Sequence, residues 1–235
     1  MAAPKDPVTA VHQARRHIKR ARSLLRALKP LAAGPVDRES GRLRAIAQAL
    51  APLRDAHAME AAAETIGAAR PALAEAAVAV DLPSLARALA RQAKAIARLS
   101  AAGAPKDFLP RAVADFYGQA RKAFRVYRDE PEAERLHDAR KRIKDSLHLI
   151  EALGPLRPKG SHPRPRRLAV LGELLGELRD LDLLVRRSER SRPMPAAKQA
   201  RIAARRRRLE RQVDRAGRRA FGTRRRDVLV DWRRS

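Results

Sequence analysis

Residues 11–19 read VHQARRHIK, and residues 136–144 read LHDARKRIK. His12, Ala14, Arg15, Ile18 and Lys19 recur as His137, Ala139, Arg140, Ile143 and Lys144, an offset of 125 residues. The same offset, without a gap, carries Arg42-Leu43 onto Arg167-Leu168. It also carries Leu50, Leu53, Arg54 and Asp55 onto Leu175, Leu178, Arg179 and Asp180. Separate matches in one register are not what a chain merely rich in Ala, Leu and Arg produces. They mark two tandem copies of one helical unit.

The repeat and the composition together predict an all-α fold. Ala and Leu dominate the 45% hydrophobic share, and both are strong helix formers. Aromatic residues are only 3% of the chain, which argues for an aliphatic core and against a β-sandwich. The expected architecture is two tandem four-helix bundles, residues 1–130 and 131–235, related by a pseudo-two-fold axis. Equivalent faces of such copies would line a shared groove.

Proline and glycine punctuate the helices. Asp6-Pro7 reads as N-cap and first helical position, and Lys29-Pro30 ends that helix. The pattern predicts a loop at Ala32 to Pro35 and a second helix from about Asp37 into the fifties. Further helices are expected at 56–69, 84–100, 107–128 and from Pro131 to about Leu153. Gly154 to Pro165 reads as a loop, 166–187 and 196–221 as helices. The tail, TRRRDVLVDWRRS, either docks through Val228, Leu229 and Trp232 or frays. Phe108, Phe116, Tyr117, Phe124 and Tyr127 fall near helical spacing and read as a core stripe.

With 53 Lys and Arg against 26 Asp and Glu, the formal charge is +27. A charge of that size repels itself on compaction and is most easily kept when a polyanion neutralises it. At about 100° per residue, Val11, Ala14, Ile18, Ala21 and Leu25 share one face of the first helix. His12, Arg15, Arg16, Lys19 and Arg26 share the adjacent one. In the second copy Leu136, Ala139, Ile143, Leu147 and Ile150 are the apolar stripe, and His137, Arg140, Lys141, Lys144 and His148 the polar one.

A basic face opposite a core stripe is ordinarily a solvated face, with acidic residues interleaved as i,i+4 partners. The first helix has no carboxylate between Asp6 and Asp37, so a functional anion site is the stronger reading. Arg supplies bidentate contacts to phosphate, Lys a point charge and His a hydrogen-bond donor. Arg54-Asp55 and Arg179-Asp180 keep two readings, an Arg that reaches the anion or an ion pair between helices.

Metal and cofactor binding are not expected. His12 and His17 are five residues apart, a poor spacing for one helix face, and there is no Cys. Catalysis is not expected either, because the chain shows no nucleophile beside a base, no carboxylate cluster for Mg²⁺ and no Walker-type loop. No stretch of about 18 apolar residues is present and the N-terminus lacks a signal-peptide run, so the expected location is cytoplasmic. The main rival is non-specific RNA or DNA binding through the Arg-rich segment 201–226, against which stands the scarcity of aromatics among the basic positions.

The duplicated elements resemble the CHAD domain, the conserved-histidine α-helical domain. They are His12-Gln-Ala-Arg15 with Lys19-Arg20 and Arg22, then Leu53-Arg54-Asp55. The second set is His137-Asp-Ala-Arg140-Lys141 with Lys144, then Leu178-Arg179-Asp180. The resemblance spans nearly the whole chain. It implies paired four-helix bundles whose basic central channel or groove binds inorganic polyphosphate, and an association with polyphosphate granules. Some members of that family are fused to a CYTH-type triphosphatase, whose Glu-x-Glu-x-Lys element is missing from this sequence. The residues expected to meet polyphosphate are His12, Arg15, Arg16, Lys19, Arg20, Arg22, Arg42, Arg54, His137, Arg140, Lys141, Lys144, Arg167 and Arg179.

Overall fold

The computed structural model describes residues 7–53, 81–99, 104–191 and 195–233, and among these every regular element is helical. The helices are α1 (Pro7–Leu28), α2 (Ala33–Ala49), α3 (Leu82–Ala97), α4 (Phe108–Asp129), α5 (Ala133–Ala152), α6 (Pro165–Ser191), α7 (Ala196–Ala220) and α8 (Arg225–Arg233). A single 3-10 turn, Gly154–Leu156, follows α5. Contacts divide the chain into two compact units, Met1–Ala104 and Pro105–Ser235. The repeat places its second copy from residue 131, but α4 packs within the second unit, so the contact boundary falls 26 residues earlier, after residue 104 rather than 130.

In the first unit α1 packs on α2 and α2 on α3. The α1 stripe is buried as its spacing predicts, with Val11, Ile18 and Leu25 each no more than 4% exposed. It meets Val36, Leu43, Ile46, Leu50 and Leu53 of the following segment, and Leu82, Leu85, Leu89 and Ile96 of α3 pack against that cluster. Each such side chain contributes about 1.5–3 kcal/mol when fully buried. The start of α2 differs from expectation. Ala33-Gly34-Pro35 forms its first turn rather than a loop, and the Val36 N–H donates to the Ala32 carbonyl at 3.0 Å. Proline is tolerated there because first-turn N–H groups have no helical acceptor in any case. α3 opens on a side-chain cap, the Asp81 carboxylate accepting from the Ser84 N–H at 2.9 Å. The helix expected at 56–69 and the Asp6 cap lie outside the described residues.

In the second unit α4, α5, α6 and α7 pack in sequence, each on the next. The α5 stripe, Leu136, Ala139, Ile143, Leu147 and Ile150, is buried, as are Leu168, Leu171, Leu175 and Leu178 of α6, the helix that packs on it. α4 meets the end of α7 through aromatic rings: Phe221, the residue that caps α7, lies 5.5 Å from both Tyr117 and Phe124 between ring centres. Phe124 presses directly on Gly217, where any Cβ would collide with its ring. Tyr117 and Tyr127 are buried as the expected stripe requires, and burial pushes both hydroxyls up to about 12.

The tail docks. α8 packs on α4, with Val228 at 0% and Trp232 at 3% exposure. The Tyr117 hydroxyl donates to the Thr223 carbonyl at 2.7 Å, and the Trp232 indole N–H to the His162 carbonyl at 2.7 Å. Asp231 accepts from the His162 backbone N–H at 3.1 Å, so α8 also ties down the 154–165 loop. At its far end Arg233 reaches Asp107 at 2.7 Å, where Arg111 also bonds and holds the carboxyl below its ordinary range.

Candidate functional site

Because the apolar stripes of α1 and α5 face inward, their cationic faces turn outward. His12, Arg16 and Lys19 are exposed on α1, and Arg15, Arg20 and Arg22 are half-buried at its flanks. On α5, His137 and Lys141 are exposed, while Arg140 and Lys144 are half-buried. Both copies therefore present their predicted motif residues in the same order on the same helical face.

The half-buried cations are held by the next helix in each unit. Arg15 crosses to α2 and donates to the Ala47 carbonyl at 3.1 Å. In the second unit Arg140 and Lys144 lie along α6 at Gly176 and Gly172. A Cβ on Gly172 would come within 2.9 Å of the Lys144 Cε, and one on Gly176 within 3.3 Å of the Arg140 Nε. The two glycines, one turn apart, form a notch in α6 where the cationic stems sit. The Arg140 Nε is shut off from solvent there and has no hydrogen-bond partner among the described residues. Arg179 lies seven residues after Gly172, nearly two full turns, so it shares the notched face of α6.

On the other flank of the α5 motif a groove of about 500 Å³ opens against α4. His137, Lys141 and Arg142 line it from α5, Gln119 and Lys122 from α4. Glu134 and Asp138 also reach it, and Asp138 pairs with Arg142 at 3.4 Å. The groove is cationic on balance without being free of carboxylates.

Two predicted positions stand apart from these faces. Arg42 pairs with Glu39 at 3.0 Å, and Gln92 of α3 donates to the other oxygen of that nearly buried carboxylate, so Arg42 helps tie α2 to α3. Arg167 is nine residues before Gly176, half a turn around α6. It donates instead to the Arg219 carbonyl at 3.0 Å, at the end of α7. Arg54, with Asp55, lies outside the described residues. Of the Arg-Asp pair in the second copy, neither Arg179 nor Asp180 forms an ion pair among the described residues. Asp182, two positions on, is the residue that links helices, accepting from Arg206 of α7 at 2.7 Å.

Two features were not anticipated from the sequence. Gly172 and Gly176 had a signal, since a pair of glycines one turn apart inside a long helix each cost about 1 kcal/mol of helix propensity and call for a packing reason. The other is a second cationic groove, between α4 and α7, which joins residues about a hundred positions apart and has no local signature. No group of three or more His, Asp or Glu able to hold a metal ion occurs among the described residues. No helix among them is long and apolar enough to cross a membrane.

Comparison with known proteins gives one match. The CHAD domain family model covers residues 1–189, which include both motif copies and end before α7. No curated protein and no solved structure matches the chain.

Proposed function

The chain belongs to the CHAD domain family, and on that premise we propose that it binds inorganic polyphosphate through the cationic faces of α1 and α5, with no chemical step of its own. The family is known for polyphosphate binding. The observation that carries the reading is the matched seating of the motif cations, Arg15 over Ala47 in one unit and Arg140 and Lys144 over Gly176 and Gly172 in the other. Each copy thus seats some of its motif cations against the next helix while His12, Arg16 and Lys19 in one, and His137 and Lys141 in the other, stay exposed, which suits a flexible polyanion that carries charge on every unit and offers no base to stack.

The ligand-facing set is His12, Arg15, Arg16, Lys19, Arg20 and Arg22 in the first copy and His137, Arg140, Lys141, Lys144 and Arg179 in the second. Arg54 joins it through the repeat register. The tandem four-helix bundles expected from the repeat belong to the same reading, as does residence on polyphosphate granules. Binding of this kind is driven by release of counterions, so affinity falls steeply as salt rises. The test is competition at matched phosphate concentration and fixed salt, with orthophosphate release followed in parallel. Long-chain polyphosphate displaces RNA and no orthophosphate appears. RNA that resists displacement would overturn the ligand, and orthophosphate release lost in His137→Ala would overturn the non-catalytic role.

A further inference from the structure

The α4–α7 groove lies outside the motif faces, and two of the three helices that build it, α7 and α8, lie beyond the family match. It encloses about 490 Å³. Arg121, Arg125 and Arg128 recur at i, i+4 and i+7 on α4, a stripe of like charge about 10 Å long. Arg218 of α7 and Arg225 of α8 face them across the groove, and no carboxylate lines it. Two of these cations are neutralised from outside, Arg225 by Asp115 and Arg128 by Asp214 at 3.0 Å. Arg121, Lys122, Arg125 and Arg218 form no ion pair among the described residues. Like charges at i,i+4 destabilise a helix by a few tenths of a kcal/mol per pair, and crowding them on both walls adds to that.

The floor limits what the groove takes. Phe124 and Phe221 are 5% and 7% exposed and pack on each other and on Tyr117. Their faces are closed, so a nucleobase finds no ring to stack on. Guanidinium and ammonium groups remain, which recognise phosphate oxygens. Lys122 lines this groove and also the α4–α5 groove that holds His137 and Lys141, so the two cationic surfaces meet at α4.

We propose that the α4–α7 groove is a second phosphate-chain subsite, continuing the track of α5 across α4 to α7 and α8. The inference rests on the polyphosphate reading above. One long chain occupies both surfaces, whereas a short oligophosphate fills the motif face alone. Linking the two contacts through one ligand raises the affinity for long chains without changing either contact, as for any bivalent interaction.

The experiment titrates the full chain with long-chain polyphosphate, tripolyphosphate and single-stranded RNA over a salt series. The groove variant combines Arg121→Glu, Arg125→Glu and Arg218→Glu. A control with the same charge change combines Arg166→Glu, Arg215→Glu and Arg219→Glu, which line a separate groove between α6 and α7. The groove variant loses about tenfold or more of its long-chain affinity, and its salt slope falls by about two. Tripolyphosphate binding changes no more than in the control. The corresponding Arg→Lys triple keeps most of the long-chain affinity, and unchanged circular dichroism shows that the fold is intact. Equal losses in groove and control variants reduce the effect to background charge and overturn the subsite. Loss of RNA with retention of polyphosphate overturns it too, assigning the groove to nucleic acid. A wild-type chain that binds no polyphosphate brings down both readings, whereas wild-type binding with an unaffected groove variant brings down this one alone.

Discussion

The two motif copies carry equivalent cations at equivalent positions, yet the surface beneath them differs. Under Arg15 and Lys19 the facing α2 position is Ala47, and Ala51 follows one turn on. Under Arg140 and Lys144 the same register gives Gly172 and Gly176. In the first copy the guanidinium ends on a backbone carbonyl. In the second the stems lie against bare backbone, while each copy encloses one guanidinium nitrogen, the Nε of Arg22 and of Arg140. An unsatisfied buried donor costs about 1–3 kcal/mol, which the packing of the stem along α6 has to offset. The contrast shows that a cation can be positioned by removing side chains from the helix it crosses, as well as by adding a partner.

If seating matters, the two copies differ in how much binding they carry. Arg140→Ala with Lys144→Ala lowers long-chain polyphosphate affinity by about a hundredfold at 0.1 M salt, two charge-assisted contacts being lost, while helical content stays unchanged. Isothermal calorimetry and circular dichroism on one sample check both halves of that statement. Arg15→Ala with Lys19→Ala costs about tenfold by the same measurement, the facing surface at Ala47 and Ala51 having no glycine notch. Matching losses from the two double variants would show that the notch contributes nothing.

Gly176→Ala sharpens the point, because its effects on stability and binding run in opposite directions. Alanine in place of a helical glycine adds up to about 1 kcal/mol of helix propensity, while its methyl displaces Arg140. The expected result is a thermal midpoint that holds or rises and an affinity that falls about threefold, since part of one contact is lost. A variant that binds like the wild type would mean that Arg140 is not held where phosphate meets it.

The smallest effect is on stability and separates the units by pH. Both tyrosines of the chain belong to the second unit, and burial raises both hydroxyls from 10.0 to about 12. A raised pKa in the folded state stabilises below the unfolded value and is lost as pH climbs through the folded one. The second unit therefore loosens between pH 10 and about 12, followed by tyrosinate absorbance and amide exchange. Loosening of the first unit first would contradict this assignment.

Much of the fold was legible because it depends on local periodicity. The aliphatic stripes at 11–25 and 136–150 needed only a helix to bring them together, and they are buried as spaced. Prolines marked helix ends except at Pro35, where the same residue fits a first turn as well as a loop. The docking of α8 was left open by sequence, since Trp232 finds its acceptor on a loop 70 residues away. Of the site, the motif helices were legible and the neighbouring surfaces were not. Repeat register identifies equivalent positions but not the direction they face, so it did not show that Arg42 pairs with Glu39 of its own helix or that Arg167 bonds the end of α7. The α4–α7 groove was invisible for the same reason, being made by a tertiary approach of Phe124 to Gly217.

The glycine notch has a thermodynamic consequence. A lysine or arginine on an open surface gives up as much as about 2 kcal/mol of rotamer freedom when it is immobilised. Stems already confined along α6 have surrendered part of that freedom during folding, before any ligand arrives. Phosphate captured there should thus carry a more favourable binding entropy than phosphate captured by cations on an open surface, even where the enthalpies agree.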